Sequence, residues 1–149
     1  MMKWNEIKTT EDIKKLQMFF GGFHDSCLKE LYLWTDSYVD EDLSMAMTSG
    51  TSVRILFQRQ SENISAIELL FEGVKQFHIS PPPEDYDSII YGASVLIEDE
   101  LIYWADDSSW KPKKNIDYDI SWIAARELRW REVSSWMGEK MRCGVISED

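Results

Sequence analysis

Residues 53–71 read Val53-Arg54-Ile55-Leu56-Phe57-Gln58-Arg59-Gln60-Ser61-Glu62-Asn63-Ile64-Ser65-Ala66-Ile67-Glu68-Leu69-Leu70-Phe71. Val53, Ile55 and Phe57 share one parity. Ile67, Leu69 and Phe71 do the same beyond Ser61-Glu62-Asn63. Side chains of a strand alternate between faces, so an apolar parity of period two marks a strand with one buried side. The polar residues between the two runs are a turn signal. The stretch predicts two strands joined by a turn, and with them a β-rich fold.

The same period continues outward. Leu43, Met45 and Met47 alternate with Ser44, Ala46 and Thr48 ahead of a Ser49-Gly50 turn, and Leu31 and Leu33 alternate with Tyr32 and Trp34. Downstream, a further short strand is expected over residues 74–79, then strands over 86–97 and 100–105 with Glu98-Asp99 near the turn. Pro81-Pro82-Pro83 lacks ladder donors and fixes φ, so it reads as a rigid extended connection in preference to an SH3 or WW ligand. Residues 106–114 read as a polar loop around Trp110 and Pro112. In the last segment Ile116, Tyr118, Ile120, Trp122, Ala124, Leu128 and Trp130 hold one parity, interrupted by Arg126. Residues 124–129 are strong helix formers, but the parity favours strand. Before all of this, Thr9 and Thr10 with Glu11 and Asp12 signal a helix start. Ile13, Leu16 and Phe20 give that helix an apolar face, and Gly21-Gly22 ends it.

The expected architecture is one domain over residues 1–149: a helix at 10–20, mainly strands over 27–133, and a peripheral tail at 134–149. Its class is mostly β (α+β), an antiparallel sandwich or strongly curved sheet with one N-terminal helix. A chain of 149 residues buries roughly 70% of its unfolded surface, so no disulfide, metal or cofactor is needed for folding. Cys27 and Cys143 are far apart and read as reduced thiols of a cytosolic protein. Residues 1–10 lack the apolar run of a signal peptide, and no apolar run reaches the ~18 residues of a membrane span. The expected compartment is the cytoplasm.

Charge is distributed unevenly. Residues 30–110 carry sixteen acids against three bases, Arg54, Arg59 and Lys75, while the whole chain is −11. Such a chain repels nucleic acid and anionic lipid and attracts a basic partner. Lys111, Lys113 and Lys114 are too isolated a basic spot to suggest a nucleic-acid surface. The acids cluster at Asp40-Glu41-Asp42, Glu84-Asp85-Asp87, Glu98-Asp99-Glu100 and Asp106-Asp107. None has the spacing of a calcium loop. At turns acids are ordinarily just solvated, but several turns at one end of a sheet can form a negative surface that steers a basic protein. Trp110, within Ser-Ser-Trp-Lys-Pro, is the tryptophan expected to be exposed and to anchor an interface. Trp34, Trp104, Trp110, Trp122 and Trp130 also allow a sugar-stacking platform, although core packing explains most of them.

Phe23-His24-Asp25-Ser26 is the one short motif. As chemistry it offers a His–Asp pair for acid–base work or metal binding. Adjacent side chains of an extended chain point to opposite faces, which argues against a triad. The chain has only His24 and His78 for a metal site. The preferred reading is a helix-to-strand corner in which Asp25 or Ser26 bonds nearby backbone N–H groups and Phe23 plugs the core. A nucleophile elbow, P-loop, dinucleotide fingerprint and CxxC are all missing, so a non-enzymatic protein is expected.

A short helix, Phe23-His24-Asp25-Ser26, a series of strands and then Ala125-Arg126-Glu127-Leu128-Arg129-Trp130-Arg131-Glu132 together resemble a group of small bacterial proteins with an N-terminal F-H-D-S/A motif. Some of these are classed as immunity proteins of polymorphic toxin systems. The resemblance covers roughly residues 10–133. It implies a compact β-rich domain that binds a toxin, with no chemistry of its own and a structural role for the motif. The alternatives are a carbohydrate-binding β module that uses surface Trp, or a hydrolase that uses His24.

Overall fold

The computed structural model describes residues 3–112 and 119–142. The two runs that open the sequence argument pair antiparallel as β5 (Thr51–Arg59) and β6 (Ala66–His78). Val53 lies opposite Phe71, Ile55 opposite Leu69 and Phe57 opposite Ile67. All six are fully buried. Around this hairpin the sheet takes the order β2-β5-β6-β9-β8-β7. The added strands are β2 (Ser26–Thr35), β7 (Ser94–Glu98), β8 (Leu101–Ala105) and β9 (Trp122–Glu132). Every pairing in it is antiparallel. A short β1 (Asn5–Ile7) joins the free part of the β9 edge. It escaped the sequence reading because three residues are too few to show a period.

The sheet is open but strongly curled. An isolated bridge joins Ser26, at the start of β2, to Ile90, just ahead of β7, although β2 and β7 occupy opposite ends of the strand order. The helix α1 (Thr10–Phe19) covers the apolar face so enclosed. Thr9 Oγ1 accepts from the Asp12 N–H, while the Asp12 carboxylate accepts from the N–H groups of Thr9 and Lys8, at 2.9 to 3.2 Å. This reciprocal cap satisfies donors that a helix start leaves open. Ile13, Leu16 and Phe20 pack into the main core with Phe23, Phe57, Trp104 and Ile123. The fold is therefore mostly β with one N-terminal helix.

Several boundaries differ from expectation. The strand expected at 74–79 is the continuation of β6, carried through Gly73. Gly73 has φ +63°, and a Cβ there would come within 3.2 to 3.4 Å of the Arg126 side chain. At this pivot both strands change face. Phe71 and Leu128 enter the core before it, and Val74 and Ala125 enter it after, while Arg126 and Glu127 are both exposed. β9 is one strand, as preferred over helix, but its apolar parity does not run unbroken: Ile123 and Ala125 face the main core, and Trp122 and Ala124 face the opposite side. The strand expected at 86–97 is confined to β7, because residues 79–93 form an irregular connection. Only Met45 and Ala46 of the expected 43–47 run are strand, as β4, paired with β3 (Tyr38–Val39) in a separate two-stranded sheet. Residues 113–118 and 143–149, including Lys113, Lys114, Ile116, Tyr118 and Cys143, lie outside the described residues.

Of the tail, expected to be peripheral, residues 134–142 cross the second face of the sheet, and none of them is buried. Gln58 Nε2 donates to the carbonyls of Trp136 and Gly138 at 3.0 and 3.1 Å, and the Arg142 N–H donates to Glu30 Oε2 at 2.7 Å. Trp136 packs on Leu56, Ala66 and Val133.

Candidate functional site

The Phe23-His24-Asp25-Ser26 corner follows from backbone conformation. Gly21, Gly22, Phe23 and Asp25 all have φ between +57° and +65°. Glycine adopts this region freely; Phe does so only when its surroundings hold it there. Phe23 is fully buried, with its ring 5.2 Å from Phe20, 5.0 Å from Phe57 and 6.0 Å from Trp104, all edge-on. Ser26 Oγ donates to the Phe23 carbonyl at 2.7 Å, and the Asp25 N–H donates to the Ile90 carbonyl. His24 Nδ1 meets the Tyr91 carbonyl at 2.9 Å, and its Nε2 lies 3.4 Å from Asp25 Oδ2. The two neighbours therefore do meet, contrary to the extended-chain expectation, because the left-handed Asp25 turns its carboxylate back toward the ring. Both side chains are more than 60% exposed. A His whose Nδ1 bonds a carbonyl carries its proton there, and the Ser26 hydroxyl is committed to its own turn. The corner thus fastens the segment ahead of β7 to the start of β2.

The acidic clusters are dispersed. Glu98-Asp99-Glu100 forms the tight turn at the start of β8, with Asp99 and Glu100 at φ +52° and +65°. Asp106-Asp107 follows the other end of β8. Five extended residues separate these clusters by roughly 17 Å. Asp106 Oδ1 accepts from the Ser121 N–H, and Asp107 Oδ2 from the Ser109 hydroxyl. Asp87 accepts from the Ile89 N–H and the Tyr91 hydroxyl. Its negative charge, and then that hydrogen bond, push the Tyr91 phenol upward.

Asp40-Glu41-Asp42 stands at the tip of the β3–β4 hairpin. Asp40 Oδ1 accepts from the N–H groups of Asp42 and Ser44, both at 2.9 Å, and the Asp40 and Leu43 N–H groups close the turn from the other side. The stem is held where Ser37 Oγ donates to the Thr48 carbonyl and the Asp36 N–H to the Gly50 carbonyl. This ordered projection exposes large apolar side chains on both of its faces, with Val39 opposite Met45 on one and Tyr38 on the other: Tyr38 62%, Val39 53%, Leu43 85%, Met45 63% and Met47 79%. Leu43, at φ +66°, is forced outward at the tip. Residues 36–50 hold four acids and no base. Sequence reasoning picked out the acids here and read Leu43, Met45 and Met47 as one parity of a strand. Parity alone does not report whether a hairpin has anything to pack on.

Trp110 is not an exposed anchor. It is 7% exposed, stacked on Trp122 at 5.2 Å and set against Tyr103 at 5.9 Å. Its polar neighbours in sequence masked a small core on the second face. Trp104 and Trp130 are buried too. Two of the five candidate platform residues have an exposed aromatic neighbour: Tyr32, 42% exposed, stacks on Trp34 at 5.4 Å, and Phe19, 37% exposed, lies 4.8 Å from the buried Trp130.

The centre of the second face carries charge. Glu68 is fully buried, and Arg54 and Arg131 each hold one of its oxygens. The Arg131 guanidinium lies over the Trp4 and Trp136 rings. Among the described residues, no group of three or more His, Cys, Asp or Glu is placed to hold a metal ion, and no helix is long and apolar enough to cross a membrane. Comparison with known proteins finds no matching family model, no matching curated protein and no matching solved structure.

Proposed function

We propose that this chain is a non-enzymatic binding protein that docks onto a basic protein through its β3–β4 hairpin, in the manner of an immunity protein covering a cytoplasmic toxin. The observation that carries this reading is the hairpin itself, where five large apolar side chains stand in solvent beside four carboxylates. A soluble protein rarely exposes a contiguous apolar patch without a use for it. Apolar anchors within a charged rim are the anatomy of a protein interface. The carboxylates would speed encounter with a basic partner, and Leu43, Met45 and Met47 would slow its departure. Methionine suits this role because its flexible side chain adapts to a partner surface. The likeness of the Phe23-His24-Asp25-Ser26 corner to immunity-type proteins points the same way, and the thiol of Cys27, which is free, suits a reducing compartment.

One observation favours a second reading. The Tyr32–Trp34 stack offers an aromatic surface of the kind a carbohydrate module uses. The two readings separate in one experiment, in which immobilised wild-type protein and a Leu43→Ser/Met45→Ser/Met47→Ser variant are challenged with lysate at low salt and at about 1 M salt, where the Debye length is roughly 3 Å. A basic protein held by wild type at low salt, released at high salt and lost by the variant supports the first reading. Retention that is indifferent to both changes contradicts it.

A further inference from the structure

Methionine ordinarily fills gaps in cores, but the described methionines of this chain all stand outside them. Met18, Met45, Met47, Met137 and Met141 are exposed, from 40% at Met137 to 84% at Met18, and none belongs to a core cluster. Met45 and Met47 stand together in the β3–β4 hairpin. That hairpin pairs with no strand of the main sheet, and no residue from 36 to 50 is buried. An oxidant in solvent therefore reaches both thioethers without any opening of the fold. Oxidation of a buried methionine puts a polar group into a core and disrupts it. In this chain the same reaction alters the surface alone.

We propose that Met45 and Met47 are an oxidation site, where a peroxide turns the hairpin from apolar to polar and leaves the fold intact. The modification stands on exposure; its consequence for a partner rests on the hairpin reading. In the step, a lone pair of the thioether sulfur attacks one peroxide oxygen. An S–O bond forms as the O–O bond breaks. The departing hydroxide takes the proton of the transferred oxygen and leaves as water. Sulfur loses two electrons and the peroxide gains them. The sulfoxide oxygen is a hydrogen-bond acceptor, and an apolar partner surface has nothing to offer it. A sulfoxide reductase resets the site: the oxygen leaves as water while the reducing dithiol closes to a disulfide. A neutral peroxide is not repelled by Asp40, Glu41 and Asp42, so the acids that steer a basic partner do not shield the methionines.

The test compares wild type, a hairpin variant Met45→Leu/Met47→Leu and an off-hairpin variant Met18→Leu/Met137→Leu/Met141→Leu, each before and after hydrogen peroxide. Leucine keeps the apolar bulk and does not oxidise. Peptide mass spectrometry should find an added oxygen on Met45 and Met47 by the time Met18 is converted. The urea midpoint should not move. On a phenyl column, which serves as the apolar probe, peroxide should shorten the retention of wild type and of the off-hairpin variant far more than that of the hairpin variant. Sulfoxide reductase with a dithiol should restore it. In the lysate assay, oxidised wild type should hold the basic protein roughly tenfold more weakly or worse, while the oxidised hairpin variant keeps it. Reduced Met45 and Met47 beside a converted Met18, a lowered urea midpoint, or retention that falls equally in both variants overturns the proposal. Capture that survives oxidation of wild type overturns its consequence for the partner. If untreated wild type captures no basic protein, the hairpin reading fails by itself, and the mass and column results still decide the oxidation site.

Discussion

Arg131 Nε donates to Glu68 Oε1 at 2.8 Å, and the Glu68 side chain it meets has no solvent exposure. The second Glu68 oxygen accepts from Arg54 Nε, also at 2.8 Å. A buried carboxylate is tolerable only when its lone pairs are filled and its charge matched. Both arginines keep about a fifth of their side chains exposed, so the cost of orphaning them is moderated by water. Glu68→Ala should therefore destabilise by about 3 kcal/mol, the low end for breaking a buried pair. A urea midpoint within experimental error of wild type would refute this.

Trp110→Ala should cost about 3–4 kcal/mol, because it opens a void between Trp122 and Tyr103. Its effect on partner binding should appear only through loss of folded protein. A variant that unfolds like wild type yet no longer binds would restore Trp110 as an exposed anchor.

Sequence parity located β2, β5, β6 and β9, and the Thr9 and Asp12 signals located the helix, because these patterns are local. What escaped depended on contacts far along the chain. The burial of Trp110 is decided by Trp122, across a loop. The face change at Gly73 is matched by Arg126 and Glu127 on a strand more than fifty residues later, and neither strand predicts it alone. For the candidate site, the acidic residues were legible but their separation along β8 was not. Residues 43–47 were read as a strand of the main fold because they have a strand period whether or not anything covers them.

The turn at Asp99 and Glu100 places two non-glycine residues at positive φ. A left-handed conformation costs an ordinary residue about 1–2 kcal/mol. Glu100→Gly should thus raise stability by about 1 kcal/mol once the greater freedom of glycine in the unfolded chain is subtracted. Thermal unfolding checks the sign. A lower Tm would mean that the Glu100 side chain contributes more than its backbone loses.

The pH dependence of the helix cap follows from Asp12. The Lys8 N–H, then the Thr9 side chain and N–H, hold its pKa below the ordinary 3.8. A carboxyl group whose folded pKa is depressed contributes stability that is fully present above the unfolded value and disappears as pH falls through the folded one. The stability difference between wild type and Asp12→Asn should therefore be constant at neutral pH and shrink on acidification below 3.8. Urea titrations across that range read it directly. A difference that does not change with pH would remove the carboxylate from the account.

The central claim is that the hairpin tip is where the partner docks. A photo-crosslinking residue at position 43, replacing Leu43, tests it most directly, with the same residue at Met18 as control, because both positions are exposed to nearly the same degree, 85% and 84%. The account predicts that position 43 captures a basic protein at low salt, that about 1 M salt abolishes the adduct, and that position 18 captures nothing comparable. Equal capture at both positions, or an adduct at position 18 alone, would contradict it.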